Sequence, residues 1–335
     1  MFLIPPFDPQ TKEMTLKERA KNFDWIGATL SIASIICLVM AINFGDALYP
    51  WESGQIIGLF VASFVLLVVF AVQQRFSWLT TVEERMFPCH MLQIKEANLL
   101  FIATACCNAA GFIPIYYIPI YFQFSRGDSA LEAAVRLLPL IVILSVTIIG
   151  QGYLMSKLGY YYPWYVVGSM LLLAGDVLLA TVDANTSVAK IYGYEVLVAI
   201  GSGAFIQAGY ATIQTVVPAN DTSYAIAFMM LAQFIGIVLG LSIGGAIFIN
   251  EGLKALRAIL PELSEAQLRA VLGGTSSNAV DVVPQALRTQ ALDAIVDSLK
   301  KLFIPAYVAA AVALLASLFL KVSVTLGYVL RTRSF

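Results

Sequence analysis

Two ionisable side chains within long apolar stretches, Asp176 and Arg136, are the strongest candidates for chemistry in this sequence. A carboxyl group inside a membrane span can carry a proton, so Asp176 is a candidate proton site. The alternative, which we favour, is that Asp176 stays hydrated or protonated one or two turns from the outer surface. Arg136 could pair with Glu132 one helical turn earlier. It could instead face a cavity and bind an anion or a coupling carboxylate.

Uncharged polar and aromatic side chains recur at helical spacing in two apolar stretches, so the members of each set share one helix face. The two sets are Asn108, Phe112 and Tyr116, and Gly203 with Gln207, Tyr210 and Gln214. Such a face can line a water-filled cavity that accepts amphipathic small molecules. It can equally hold packed helices together, because amide side chains bond across helix interfaces. The sequence leaves both interpretations open.

Glycine residues mark positions where helices approach closely or turn. Gly236, Gly240 and Gly244 repeat every four residues and predict a flat strip against which another helix packs. A turn motif at 152–159 has the spacing G-x-L-x-x-K-x-G, and its members are Gly152, Leu154, Lys157 and Gly159. The small residues permit a tight turn, and the cation suits a cytosolic helix end. An ordinary turn on the positive side of a membrane explains the same residues equally well.

Residues that would support an enzyme, a metal site or nucleic-acid binding are scarce. His90 is the single histidine, and the four cysteines are not spaced as zinc ligands or as a disulfide framework. The sequence has no HExxH or GxSxG motif and no paired aspartates within apolar stretches. Its net charge is −1, without a tract rich in lysine and arginine. We therefore expect no enzyme activity, cofactor, metal or nucleic-acid partner.

The elements that carry these residues are predicted to be membrane-spanning helices. Hydrophobic residues make up 59% of the 335 residues and charged residues only 12%, whereas soluble domains carry about 25% charged residues. A bilayer core requires about 20 consecutive apolar residues in a helix. Eight stretches meet this requirement: 24–43, 56–72, 99–122, 137–154, 165–182, 196–216, 225–249 and 305–330. The predicted fold class is an all-α integral membrane protein surrounded by a lipid bilayer.

Lysine and arginine residues set the predicted orientation, because cytosolic loops are enriched in them. If the spans alternate, the segment before the first span, the loop after the second, Lys157, Arg331 and Arg333 fall on one side. Both termini are therefore predicted to be cytosolic. The long connection 250–303 lies outside, and its amphipathic stretches predict short helices on the surface. Asn185 opens an Asn-Thr-Ser glycosylation sequon in an outer loop.

Several of these motifs, taken in order along the chain, resemble the major facilitator superfamily. Within it the sequence is similar to the fungal drug:proton antiporters with fourteen helices. The turn motif at 152–159 resembles the C-terminal copy of the superfamily's cytosolic loop motif. The other matching stretches are Asp24-Trp25-Ile26-Gly27, Arg136-Leu-Leu-Pro139, Ala199-Ile-Gly201-Ser-Gly203 with Gln207 and Gln214, Val217-Pro218, and Gly236 with Gly240 and Gly244-Gly245.

The resemblance implies an architecture for the chain. Residues 1–22 would be a cytosolic lead segment that ends a missing helix, and 23–97 would be two extra transmembrane helices with a cytosolic loop. Residues 98–335 would be the C-terminal six-helix bundle, and a missing N-terminal bundle would be its partner. The third and sixth spans would line the cavity, and the fourth and seventh would face that partner. Asp176 would lie on a supporting helix, where family members usually carry a small residue.

The resemblance also implies a function, which is proton-coupled efflux of drugs, toxins or secondary metabolites by alternating access. The transported small molecule and protons would then be partners. We expect the plasma membrane as location, with the vacuolar membrane as the alternative. Because one bundle forms no alternating cleft, we expect no transport from this chain without a partner bundle. A second hypothesis is a non-transporting truncated membrane fragment or a helix-interaction module.

Overall fold

The computed structural model describes residues 23–81, 85–218, 221–273 and 283–321. The α-helices in these ranges are α1 (Trp25–Phe44), α2 (Gly54–Phe76), α3 (Lys95–Arg126), α4 (Ala130–Arg136), α5 (Leu138–Leu158), α6 (Tyr162–Leu179), α7 (Val188–Phe205), α8 (Ala208–Val216), α9 (Thr222–Ile259), α10 (Glu265–Gly273) and α11 (Gln285–Leu318). Eight units are long and apolar enough to cross a membrane, with α4–α5 and α7–α8 each forming one unit. The prediction of an all-α, multi-pass membrane protein with eight spans is confirmed.

The eighth span differs most from its prediction. The sequence predicts a span at 305–330, whereas the helix covers Gln285–Leu318 and contains Pro305 in its interior. It therefore begins well before the apolar run, because its first turns pack against protein. The lead segment 1–22 and the C-terminal residues 322–335 lie outside the described part of the chain.

The long outer connection is more helical than predicted, because the spans on either side extend into it. In the described residues, α10 is the one separate α-helix between α9 and α11. The amphipathic stretches bury their apolar side chains against protein: Leu253, Leu256, Ile295 and Leu299 are all 4% exposed or less. The prediction of short helices lying on the surface is therefore wrong for these stretches, since tertiary contacts cover their apolar faces.

Helix α3 forms the centre of a six-span unit and packs against α6, α7, α9 and α11. Its inward face carries small buried residues, among them Cys107, Ala110 and Gly111. Small side chains let helix backbones approach closely, and such packing is a main source of helix association in lipid. Helix α7 meets α6 in the same way, because a Cβ at Gly201 would lie 2.4 Å from the backbone nitrogen of Leu172.

Helices α1 and α2 form a hairpin beside the six-span unit. Ser34 and Ser63 each donate a hydroxyl to the other's backbone carbonyl oxygen, both at 2.9 Å. The hairpin contacts the unit through α1 and α9, where Asn250 donates its amide to the carbonyl of Gly45 at 3.1 Å. Most apolar side chains of α2 remain exposed, which suits a helix surrounded by lipid.

The connections between spans alternate between two ends of the bundle. At one end, His90 Nε2 lies 3.6 Å from Asp221 Oδ1, which joins the loop before α3 to the turn before α9. At the opposite end, Arg126 donates to the backbone carbonyl of Thr186 at 2.6 Å. We call the first the His90 end. We call the second the Asp183 end, because Asp183 lies in the same turn as Thr186.

Candidate functional site

The sixth span has a two-residue irregularity near its middle, at the position of a predicted polar face. The sequence predicts one helix over 196–216, but α7 ends at Phe205 and α8 begins at Ala208. Gln207 lies in this irregularity, and its side chain is exposed. Ile206 and Gln207 keep right-handed helical dihedrals, so Val188–Val216 still forms one helical span.

The other members of this polar face have different surroundings. A Cβ at Gly203 would meet the side chain of Thr147 on α5 at 2.7 Å. Tyr210 donates its hydroxyl to Gln233 on α9, and Gln214 donates to the backbone carbonyl of Tyr210 at 2.7 Å. Tyr210 thus joins two helices, as the packing interpretation predicts. Gln207, in contrast, is accessible, as the cavity interpretation predicts.

The three predicted residues of α3 run from the core of the bundle to its surface. Asn108 is fully buried and donates its amide to the backbone carbonyl of Thr104 at 2.8 Å. Phe112 is half-buried, and Tyr116 is 57% exposed. Because α3 runs toward the Asp183 end, Tyr116 lies well away from Asn108, and the three residues do not form one compact site.

A buried polar cluster surrounds Asn108. Within the described residues, Asn108 Oδ1, Thr104 Oγ1 and Ser202 Oγ are buried and have no hydrogen-bond partner. Helix α7 approaches α3 closely at this level, since Ser202 Oγ lies 2.6 Å from the position that a Cβ would take at Gly111. Buried polar groups normally have partners, and ordered water commonly supplies them. These side chains therefore place polar groups without partners among the described residues inside the bundle, between α3 and α7.

Two carboxyl groups are fully buried in the bundle, and only one of them was predicted. Asp176 on α6 and Glu195 on α7 are each 0% exposed, and none of their oxygens has a hydrogen-bond partner among the described residues. Of the two states that the sequence favours for Asp176, hydrated or protonated, full burial excludes the hydrated one, because α3 and α11 pack over α6.

Glu195 is absent from the predictions because the predicted sixth span starts one residue after it. The helix actually begins at Val188, so Glu195 lies well inside it. A predicted span that started one helical turn earlier would have included this glutamate between apolar neighbours. A buried charge without a partner is costly, so both carboxyl groups favour the neutral, protonated form.

Arg136 is already engaged at the Asp183 end. Its guanidinium forms an ion pair with Asp128, in which the bond from Nη2 measures 3.1 Å. The guanidinium carbon also lies 4.9 Å from the ring centroid of Phe122, in a cation–π contact. Glu132 instead completes a capping box with Ser129 at the start of α4. The predicted Arg136–Glu132 pair is therefore wrong, because helix capping holds Glu132.

The turn motif lies at the exposed end of α5. Gly159 ends the helix with a φ of +81°, and its N–H donates to the carbonyl of Met155 at 3.0 Å. Glycine adopts this left-handed conformation without steric cost. Leu154 and Lys157 are exposed, and no other described residue comes within 4 Å of a Cβ placed on Gly152. The motif therefore makes a tight turn and presents an accessible surface.

The glycine strip holds α9 against α3. A Cβ at Gly236 would lie 2.0 Å from the carbonyl oxygen of Ala105, and one at Gly240 would lie 2.9 Å from Ala109. The nearest atom to a Cβ at Gly244 is 3.6 Å away, which is ordinary contact. This face of the seventh span is thus occupied by α3, and its tightest point is at Gly236.

The sequon residue Asn185 lies in a turn at the Asp183 end, and its side chain is exposed. Its backbone N–H donates to Asp183 Oδ1 at 3.0 Å, and the Thr186 hydroxyl donates to the same oxygen at 2.8 Å. These hydrogen bonds, first of all the one from Thr186, hold the pKa of the Asp183 carboxyl below its ordinary value. Glycosylation of Asn185 stays a prediction.

The helical architecture and the motifs agree with the result of a comparison with known protein families. The sequence profile of the Major Facilitator Superfamily matches residues 2–241, which is more than half of the chain. The chain belongs to the Major Facilitator Superfamily.

Among solved structures, the fold is similar to that of a bacterial homologue of the human lysosomal transporter Spinster in an inward-facing and occupied conformation. The TM-score is 0.53 at 15% sequence identity, over 92% of this chain and 67% of that one. At this low identity, the similarity concerns the fold alone.

Several fungal relatives are much closer in sequence. The phomenoic acid biosynthesis cluster MFS-type transporter of Leptosphaeria maculans is 49% identical, over 95% of this chain and 53% of the relative. The MFS-type transporter pgmG of Aspergillus terreus is 38% identical, over 96% of this chain and 57% of the relative. The efflux pump alnA of Emericella nidulans is 36% identical, over 96% of this chain and 58% of the relative. The chain thus spans about half the length of the curated relatives that it matches.

Proposed function

We propose that the chain takes part in the export of amphipathic small molecules, as part of a proton-coupled secondary transporter. The observation that carries this proposal is the 36–49% identity to fungal proteins named as MFS-type transporters and efflux pumps. One of these names refers to a biosynthesis cluster, so we propose secondary metabolites as the substrate class. The accessible Gln207 and the buried polar side chains of Asn108, Thr104 and Ser202 support a polar pathway through the bundle.

Alternating access requires two bundles that rock against each other, so we propose that a second bundle is the partner of this one. The exposed face of α5 supports this proposal. Val142, Val146, Ile149 and Tyr153 are each more than half exposed, and their spacing places them on one face. The same helix ends in the accessible turn motif. A non-transporting helix-interaction module would use this face as well, so the two functions must be separated by measuring transport.

Export of a fluorescent amphipathic dye from a host that lacks its own efflux pumps distinguishes a transporter from a non-transporting helix-interaction module. The chain is produced alone, or together with the part of the Leptosphaeria relative that it does not match. We expect dye to be retained in the first case and exported in the second, because only two bundles form a cleft. Retention in both, with the chain inserted in the membrane, would favour the non-transporting module. Export by the chain alone would contradict the need for a second bundle.

We further propose that the buried carboxyl groups of Asp176 and Glu195 carry the coupled protons. Asp176→Asn and Glu195→Gln keep the side-chain shape but remove the titratable proton. In vesicles that hold the two-bundle assembly, we expect export driven by a proton gradient to be lost in each variant. Exchange of labelled for unlabelled substrate needs no net proton movement and should continue, which shows that the variants fold.

Glu262→Gln is the matched control, because this carboxylate is exposed in the turn before α10. It should retain both gradient-driven export and exchange. Gradient-driven export that is unchanged in both buried variants would contradict the assignment of these groups as proton carriers.

We propose the plasma membrane as the location, with the vacuolar membrane as the alternative, and both termini in the cytosol. The short connections at the His90 end support this orientation, since Arg75, Arg85 and Lys157 lie there. Asn185 is at the opposite end, where an N-linked glycan would be attached on the outer side.

A further inference from the structure

An aromatic cavity lies at the Asp183 end, apart from the buried polar cluster. It has a volume of about 370 Å³ and is formed by α3, α9 and α10. Its lining includes Tyr116, Tyr117 and Phe248, with Arg269 beside them. Small-molecule sites have volumes of roughly 300–1,000 Å³ and combine apolar walls with a few placed polar groups. The cavity has both properties.

The aromatic rings surround Tyr117 edge to face. The centroids of Tyr116 and Tyr117 are 4.9 Å apart, and those of Tyr117 and Phe248 are 6.2 Å apart. Gly245 makes room for the Tyr117 hydroxyl, which lies 3.0 Å from the position that a Cβ would take. Because Tyr116 is 57% exposed, part of this aromatic surface is free to contact a flat apolar group.

Two guanidinium groups share one carboxylate beside the cavity. Glu265 pairs with Arg269 at 2.5 Å and with Arg257 at 3.3 Å. The hydrogen bond from Arg269 holds the pKa of Glu265 below its ordinary value, so this carboxylate is charged at neutral pH. A guanidinium has five N–H donors, and among the described residues the one hydrogen bond of the Arg269 side chain is that from Nη2 to Glu265.

We propose that this cavity binds an amphipathic anion, with its apolar body against Tyr116, Tyr117 and Phe248 and its acid group on Arg269. The buried apolar surface supplies affinity, and the charge-assisted hydrogen bond supplies preference for an acid. An exported acid and the headgroup of an anionic lipid share this chemistry. Assigning the cavity to the exported molecule rests on the proposed function, whereas binding of the anion does not.

The test compares the fluorescent acid 1-pyrenebutyrate with its neutral analogue 1-pyrenebutanol. Binding to the chain in phosphatidylcholine nanodiscs is followed by fluorescence anisotropy, and empty nanodiscs correct for partition into lipid. Arg269→Gln should weaken binding of the acid about tenfold, the size expected for loss of a hydrogen bond to a charged group. It should leave binding of the alcohol unchanged. Tyr116→Leu should weaken both ligands about threefold, because it removes a ring contact.

Arg257→Gln is the matched control. Like Arg269→Gln, it removes one positive charge that pairs with Glu265. Arg257, however, lines a neighbouring polar cleft with Lys254 and not the aromatic cavity. We expect it to change the affinity for the acid less than about twofold. Equal effects of the two arginine substitutions would overturn the proposal, because they would show only a general attraction to positive charge. Equal affinities of the unsubstituted chain for acid and alcohol would overturn it too.

Nanodiscs that contain phosphatidylglycerol distinguish the two sources of the anion. If a lipid headgroup occupies the cavity, this lipid should weaken binding of 1-pyrenebutyrate to the unsubstituted chain more than to the Arg269→Gln variant. If both are weakened equally, the occupant is a free amphipathic acid. Either result supports the site. If the two-bundle assembly exports no dye while the unsubstituted chain still binds the acid in preference to the alcohol, the proposed function alone is contradicted. If the assembly exports dye while the unsubstituted chain shows no preference for the acid, this site alone is contradicted.

Discussion

Gly236→Ala is expected to separate α9 from α3 and to lower the free energy of unfolding by about 3 kcal/mol, at the upper end of overpacking costs. The added Cβ would lie 2.0 Å from the carbonyl oxygen of Ala105 and 2.7 Å from its carbonyl carbon. These are backbone atoms of the central helix, so no change of rotamer can relieve the clash. The two helices must move apart, and the contacts along the whole strip weaken with them.

Thermal unfolding in detergent, followed by circular dichroism, measures this loss. Gly240→Ala should cost less, because its Cβ would lie 2.9 Å from Ala109, and Gly244→Ala should be nearly neutral at 3.6 Å. Gly58→Ala on the exposed face of α2 is the control, since no other described residue lies within 4 Å of the new Cβ. It should keep or raise stability, because alanine favours a helix by up to about 1 kcal/mol. One unfolding temperature for all four variants would mean that α9 and α3 do not meet at this strip.

Asp24→Asn is expected to release the α1–α2 hairpin from the loop that follows it, at a cost of about 3 kcal/mol. The Asp24 carboxylate is 4% exposed and accepts hydrogen bonds from Gly27 N–H at 2.8 Å, Gln73 Nε2 at 3.1 Å and Gln74 Nε2 at 2.6 Å. The N–H of Met86 adds a longer bond of 3.4 Å. An asparagine would turn an NH₂ group toward these donors, so at least one buried donor would lose its acceptor.

Limited proteolysis with trypsin measures this release, because Arg85 lies in the loop that Asp24 holds. Cleavage at Arg85 should become faster in the Asp24→Asn variant. Asp46→Asn makes the same substitution at the other end of the hairpin, where the side chain is exposed and φ is +57°. Asparagine tolerates this conformation, so the control should be cleaved like the unsubstituted chain. Unchanged cleavage in the Asp24 variant would show that its carboxylate does not hold the loop.

The span locations were largely predictable, because about 20 consecutive apolar residues have few other uses in a protein. The ends of the spans were less predictable. At 305–330 the apolar run marked the lipid-facing part of α11, but the helix starts at Gln285 because its first turns bury Ile295 and Leu299 against protein. A polar helix that packs on its neighbours and a polar loop look alike in composition.

The candidate site residues were only partly predictable, because local rules compete. Helical spacing favoured a pair between Arg136 and Glu132, but Glu132 caps α4 and Arg136 turns to Asp128. Spacing also placed Gln207 and Tyr210 on one face, but Gln207 is exposed, whereas Tyr210 donates its hydroxyl to Gln233 on α9. Periodicity gives no information about which neighbouring helix supplies such a partner.

By itself, the sequence determined that lipid surrounds this chain, that eight helices cross it and that it resembles one transporter superfamily. These properties follow from the order and apolar character of the residues. Only the tertiary structure decided that Asp176 and Glu195 are buried with no hydrogen-bond partner among the described residues, and that Tyr116 and Arg269 border one cavity. The physical reason is that burial and electrostatic partners depend on which helices become neighbours, and those helices are far apart in the chain.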